Sequence, residues 1–163
     1  IPTGEVTILL AEGYKISFQL RYQEYWRDSL NRGSFSRTMI PDLSILYNNE
    51  SGSTGKVVVL DAKYRIREGL NDAIAAIHMY RDALVQKEGD MEPRGIVAGA
   101  YLLSPDTPEY MENWKLSRMP DRLFHPEYRA NFKFGAVKLR PGMNLTEIVE
   151  CLQIILADAG LGN

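Results

Sequence analysis

The sequence predicts a mixed α/β (α+β) fold, a central mixed β-sheet flanked by helices, and three observations carry that prediction. The first third is a succession of strand-like segments, residues 71–87 hold the clearest helical pattern, and the continuously apolar stretch 96–103 follows them. Strand, strand, helix, strand is the order of an α/β or mixed α+β domain.

EVTILL opens the chain, and YKISFQLRY follows with Ile16, Phe18 and Leu20 alternating, as a strand with one buried face requires. DLSILY and KVVVLDAKY come next, and the four together read as an antiparallel meander. The polar NNESGSTG between Tyr47 and Lys56 suits a hairpin loop. Residues 22–40 are aromatic and basic with a break at Gly33, and read as a short helix or an irregular connection.

In NDAIAAIHMYRDALVQK, Asn71 or Asp72 is the expected N-cap and Gly89 lies beyond the end. Ala73, Ile77, Tyr80 and Leu84 make one face; Asn71, His78, Arg81, Asp82 and Val85 lie on or near another. RGIVAGAYLLSP has no polar alternation, so it is expected to be buried on both faces. Residues 104–131 contain four prolines and read as a surface excursion with one short helical turn. FKFGAVKLRPG is a further strand, and LTEIVECLQIILADAG a closing amphipathic helix that Gly160 ends. We expect one domain over 1–163, with core motifs in 34–103 and the closing strand and helix in 132–160. The start at Ile1, without a basic segment and long apolar run, is expected of a fragment of a larger protein rather than of a signal peptide.

Composition bounds the function classes. With 45% hydrophobic and 25% charged residues, 163 residues suffice for a real core. The longest apolar runs, VTILL and CLQIILA, fall far short of the roughly 20 residues of a membrane span. Cys151 is the only cysteine, so no disulfide framework or zinc cluster is expected, which fits a cytoplasmic location. Net charge is −2, yet residues 14–40 hold five basic residues, Lys15, Arg21, Arg27, Arg32 and Arg37, against Glu24 and Asp28. One side of the molecule is therefore expected to be basic.

The chemistry concentrates in PDLSILYNNESGSTGKVVVLDAKY, residues 41–64. Asp61 and Lys63 project from one side of their strand and Ala62 from the other. If the two strands pair through the hairpin loop, Asp42 at the start of the first comes beside Asp61 at the end of the second. Neighbouring carboxylates repel unless a cation neutralises them. A hard divalent ion such as Mg²⁺ takes one or two carboxylates, a backbone carbonyl such as that of Ala62, and waters. Lys63 on the same face would orient the attacking water and stabilise charge developing on a phosphate. The constellation suits phosphodiester hydrolysis.

Pro41-Asp42 followed by Asp61-Ala62-Lys63 resembles the PD-(D/E)xK signature of the restriction-endonuclease-like nuclease superfamily. SFSRTMIPDLSILY, VVVLDAKYRI and DAIAAIHMYRDAL together resemble its DUF524-type branch, found in McrC-like subunits of modification-dependent restriction systems. The resemblance implies a restriction-endonuclease-like core, with Asp42 and Asp61 as metal ligands, Lys63 as the catalytic lysine and Tyr64 as a flanking core or cleft residue. It implies Mg²⁺ as the cofactor, with Mn²⁺ as a substitute. His78, Tyr80 and Arg81 match a helical segment that often lines such sites. Many members carry a glutamate on a helix before the PD strand; Glu24 is the nearest candidate here and Glu12 a weaker one.

Each feature also has a plainer reading. Asp42 after Pro41 suits a turn, and Asp61 with Lys63 could be a simple ion pair. GSTGK, residues 52–56, has two residues between its glycines where a phosphate-binding P-loop has four, and it leads into a strand. His78 and His125 each suit an ordinary structural position, and Tyr80 a core ring with its hydroxyl toward polar groups. Tyr25, Trp26, Arg27, Arg32 and Arg37, or Trp114, Arg118 and Arg122, would suit phosphates and bases, or a solvated face. The expectation is a Mg²⁺-dependent DNA endonuclease domain of a restriction or defence system, with RNA left open as substrate. Its expected partners are a nucleotide-driven motor or specificity subunit and a second copy of itself. The rival expectation is an inactive nuclease-fold module for nucleic-acid binding or assembly.

Overall fold

The apolar runs become nine strands and three α-helices over the residues that the computed structural model describes, 6–9, 13–48 and 55–161. In order they are β1 Val6–Leu9, β2 Tyr14–Phe18, β3 Arg32–Ser34, β4 Leu43–Tyr47, β5 Lys56–Ala62, α1 Leu70–Ala83, β6 Leu84–Gln86, β7 Arg94–Gly95, β8 Val97–Ser104, α2 Pro126–Phe132, β9 Phe134–Lys138 and α3 Leu145–Asp158. The larger sheet has the order β1-β2-β4-β5-β8-β9, and the smaller one β3-β6-β7. Antiparallel ladders join β1 to β2, β2 to β4 and β4 to β5, and a parallel one joins β8 to β9. The result is a mixed sheet with helices, a restriction-endonuclease-like α/β fold. No helix among the described residues is long and apolar enough to cross a membrane.

The chain divides into two compact units, 1–60 with 78–97 and 61–77 with 98–163. In the first, the expected meander forms. Tyr14 pairs with Tyr47 at one end of the β2–β4 ladder, their rings 4.7 Å apart. The expected alternation of Ile16, Phe18 and Leu20 holds only at Ile16, which is buried. Phe18 is 40% exposed, and the strand ends there because Gln19 takes a left-handed φ of 50°. The β4–β5 hairpin runs from Leu43 opposite Leu60 to Tyr47 opposite Lys56; the tip, residues 49–54, lies outside the described residues. Val57, Val58, Val59 and Leu60 are each at most 1% exposed, so this strand is covered on both faces. Residues 22–40 form a 3₁₀ turn, Tyr25–Arg27, and β3.

The predicted helix over 71–87 is shifted and shorter. It starts at Leu70, so Asn71 and Asp72 lie inside its first turn, where Asp72 still complements the helix dipole. It ends at Ala83, because the next backbone groups go to strand partners: Ala83 O accepts from Phe35 N, and Leu84 O from Ile96 N. Leu84 and Val85 are buried in β6, which pairs with β3 and β7.

The second unit contains a larger departure. The excursion 104–131 holds two 3₁₀ turns, Trp114–Leu116 and Asp121–Phe124, and helix α2, rather than one short turn. Pro126 supplies the first position of α2, which has no intrahelical use for an N–H. His125 is its N-cap: Nδ1 accepts from Glu127 N at 3.1 Å, so Nε2 is the protonated nitrogen and donates to Glu112 O at 2.9 Å. This histidine is structural. Within β8, Ala100, Tyr101 and Leu102 are fully buried, as the apolar run predicts. α3 begins with a capping box between Asn144 and Glu147 and ends at Gly160, whose φ of 77° suits glycine.

Arg129 ties α2 to its neighbours. Its Nε donates to Asp158 Oδ2 at 2.8 Å, and its Nη1 donates to the carbonyls of Phe124 and Ala136. Removing one partner of a buried pair strands the other charge. Arg129→Ala is expected to lower unfolding stability by about 3 kcal/mol, read from urea midpoints. Arg129→Met combined with Asp158→Leu is expected to recover most of it, and an equal loss in the double variant would show that packing alone matters.

Burial pushes the nearby Cys151 thiol above its ordinary value, while the Arg129 charge pulls the other way. The folded state therefore holds the thiol proton more tightly than the unfolded chain does. That stabilisation is complete below the ordinary thiol range and is lost as the pH rises through the raised folded value. Wild type is expected to lose stability at alkaline pH more steeply than Cys151→Ala; equal slopes in urea titrations would assign the loss to other groups.

Candidate active site

An apolar strand delivers a carboxylate and a lysine to the same side. Asp61 follows four buried aliphatic residues of β5 and is itself only 5% exposed. Its Oδ2 lies 2.9 Å from Lys63 Nζ, so the i, i+2 spacing of the extended chain is realised as an ion pair. The lysine is anchored through its backbone, its N–H donating to Leu103 O at 2.8 Å. Ala62 between them is exposed. The simple ion pair and the catalytic pair thus begin from one geometry.

The turn after Lys63 is held at two points. Ile66 is 1% exposed and acts as an apolar anchor. Arg67 Nη2 lies 2.6 Å from Asp121 Oδ1 and 2.9 Å from Asp106 Oδ2, which clamps the turn to both parts of the excursion. The hydrogen bond to Asp121 holds the Arg67 guanidinium above its usual value against the opposing effect of burial. Arg67 is not among the site residues that the sequence nominates. No local signal pairs it with acids so distant in the chain, though Pro-Asp at 105–106 and 120–121 marks two turns able to present a carboxylate.

A small cleft of about 150 Å³ lies beside Lys63, lined by Ala62, Lys63, Tyr64, Leu103, Leu139 and Pro141 among others. Tyr64 is therefore a cleft residue and not a core one: it is 77% exposed. Asp42 is in the other unit, half-buried at the head of β4, and its carbonyl accepts from Gln19 N at 2.9 Å. In that same unit His78 and Arg81 are exposed on α1, and Tyr80 is half-buried. Glu24 is half-buried at the head of the Tyr25–Arg27 turn, its backbone bridged to Ser34; it is not on an α-helix. Glu12 lies outside the described residues.

No group of three or more His, Cys, Asp or Glu side chains placed to hold a metal occurs among the described residues. The donors that the sequence nominates are two carboxylates and the Ala62 carbonyl. Such an all-oxygen set fits a hard cation and does not fit zinc.

No curated protein and no solved structure matches the chain. Residues 5–109, well over half of its length and including Pro41-Asp42, Asp61, Lys63 and all of α1, match the family model of the PD-(D/E)XK nuclease superfamily, and the chain belongs to that superfamily.

Proposed function

We propose that the chain is a metal-dependent DNA endonuclease domain that hydrolyses phosphodiester bonds within a restriction or defence system. The observation that carries this reading is the buried Asp61 carboxylate with Lys63 at 2.9 Å, in a β5 whose hairpin partner is headed by Pro41-Asp42. In the β4–β5 ladder the outermost registered pair is Leu43 opposite Leu60, and in the sequence Asp42 directly precedes the one and Asp61 directly follows the other. That sequence order is the support for a joint role of the two carboxylates.

In this reading Asp42, Asp61 and the Ala62 carbonyl hold Mg²⁺, or Mn²⁺ in its place. The bound ion supplies Lewis-acid polarisation of the scissile phosphate. Lys63 then leaves its ion pair with Asp61 to orient the attacking water and to stabilise charge on the phosphate oxygens. Glu24 is the available third acid, and His78, Tyr80 and Arg81 are supporting residues. RNA presents the same phosphodiester and is the alternative substrate. The resemblance to the McrC-like branch supports a motor or specificity subunit as partner, and a homodimer would place one such site on each strand of a duplex.

A second reading, an inactive nuclease-fold module for nucleic-acid binding or assembly, draws on two observations. Lys63 already neutralises Asp61, and no three-ligand cluster occurs among the described residues.

Plasmid cleavage with Mg²⁺ or Mn²⁺ separates the two. Asp61→Asn and Lys63→Ala are each expected to lower the rate by about 10²–10³; cutting that survives both removes this site assignment. A readout independent of activity uses the competition for Asp61. In Lys63→Ala the carboxylate loses its ammonium partner, so Mg²⁺ is expected to raise the melting temperature more than in wild type. Asp61→Asn should show no such rise. Indifference of all three proteins to the cation, with no cutting, would establish the inactive module.

A further inference from the structure

The loop 24–32 holds large apolar side chains in water on a backbone that is almost fully tied down. Trp26 is 56% exposed and Leu30 59%. Beneath them, Arg27 N donates to Glu24 O and Asn31 N to Asp28 O, at 2.9 and 3.0 Å. Asp28 Oδ2 accepts from both Leu30 N and Arg32 N. Side chains close the rest: Gln23 Nε2 donates to Arg27 O and Gln86 Nε2 to Leu30 O. Lys87 N reaches Asn31 O at 2.9 Å. Gly33 lets the loop fold back, since a Cβ there would collide with the Gln23 carbonyl oxygen. A mere connection has no need of such order around an exposed tryptophan; a pre-organised contact does, because ordering completed on folding is not charged to binding.

Charge indicates the partner. Among the described residues, Arg21, Arg27 and Arg32 form no ion pair with a carboxylate, whereas Arg67 and Arg129 do. The Asp28 carboxylate is occupied by backbone N–H groups. An exposed indole next in sequence to Arg27, in a loop whose arginines have no carboxylate partners, matches a polyanion that carries aromatic faces. A protein surface would more readily be met by pairing those guanidiniums with its own acids.

We propose that this loop is a nucleic-acid contact in which Trp26 stacks on the face of an unpaired base while Arg27 and Arg32 hold flanking phosphates. Base faces inside a duplex are covered by their neighbours, so the ligand is single-stranded or locally opened nucleic acid. The inference rests on the nuclease reading for its ligand class, and it adds a preference for unpaired segments.

The chain has two tryptophans, so Trp114→Phe leaves Trp26 as the only indole reporter. With chelator present, a single-stranded oligodeoxynucleotide is expected to quench Trp26 emission, and the same sequence as a duplex to quench it less. By anisotropy of a labelled strand, Trp26→Ala is expected to weaken binding roughly tenfold, and Trp26→Phe to keep most of the affinity. Arg27→Gln should reduce the salt slope by about 0.7, one single-strand phosphate contact. Unchanged emission at saturation, together with equal affinity in Trp26→Ala, overturns the proposal. So does self-association in sedimentation that Trp26→Ala abolishes, which would make the patch a protein interface. If DNA is bound and cut while the Trp26 variants are indifferent, only this inference falls; if no variant binds or cuts, the nuclease reading falls with it.

Discussion

The burial of one ionised carboxylate at the end of an apolar strand is the constraint around which the site is arranged. β5 is central in its sheet and covered on both faces, so Asp61 inherits an environment built for aliphatic side chains. Removing a carboxylate from water costs several kcal/mol even after relaxation, and a strand with four buried aliphatic residues has no intrinsic reason to end in one. Lys63 offsets that cost from two residues away, the shortest spacing that returns to the same face of a strand. For the lysine to stay in reach, the chain beyond it must be fixed. Its N–H bond to Leu103 O, the buried Ile66 and the Arg67 clamp each restrain that segment.

The second unit contains another ion pair of similar depth, and the comparison is informative. Arg129 and Asp158 have side chains 9% and 14% exposed, and the planar guanidinium is spread over a carboxylate and two carbonyls. Such a fork is locked: moving it breaks several bonds at once. At Asp61 the partner is a compact ammonium on a flexible stem whose side chain remains 37% exposed. Its release into water is comparatively inexpensive, because part of it is already there. The one pair is suited to joining elements, and the other holds its cation less firmly. The same chemistry, a carboxylate with a cation, is divided between scaffold and site by the geometry of the cation.

Where a single stretch of chain determined an element, the sequence revealed it. The four meander strands, the doubly buried β8, β9 and the capped α3 all follow from local periodicity and caps. So does the nomination of Asp61 and Lys63, since a charge after Val-Val-Val-Leu is conspicuous in one dimension. The misses are elements decided by distant partners. Leu84-Val85-Gln86 continues the helical apolar pattern, yet it pairs with β3 and β7, and tertiary hydrogen bonds override the local preference. In the excursion, prolines suggested irregularity, but Pro126 occupies the one helical position that favours it and His125 caps the turn before it. Alternation alone places Phe18 in the core, but it is exposed because Gln19 breaks the strand.

Support for the site also comes from beyond the span that defines the family. The match ends at residue 109, whereas Asp121 grips Arg67, and Leu139 and Pro141 wall the cleft beside Lys63. The excursion is stiff enough to act as that support: Trp114 packs edge-on to Phe132 and close to edge-on to Tyr128, and His125 is bonded through both ring nitrogens. A shift of this aromatic cluster would reach the Lys63 segment through Asp121, since Arg67 is only four residues from the lysine. The family span therefore contains the Asp61–Lys63 pair, and the segment after it fixes the turn that follows the lysine. Differences in that segment would then alter how firmly Lys63 is held to Asp61 without any change in the pair itself.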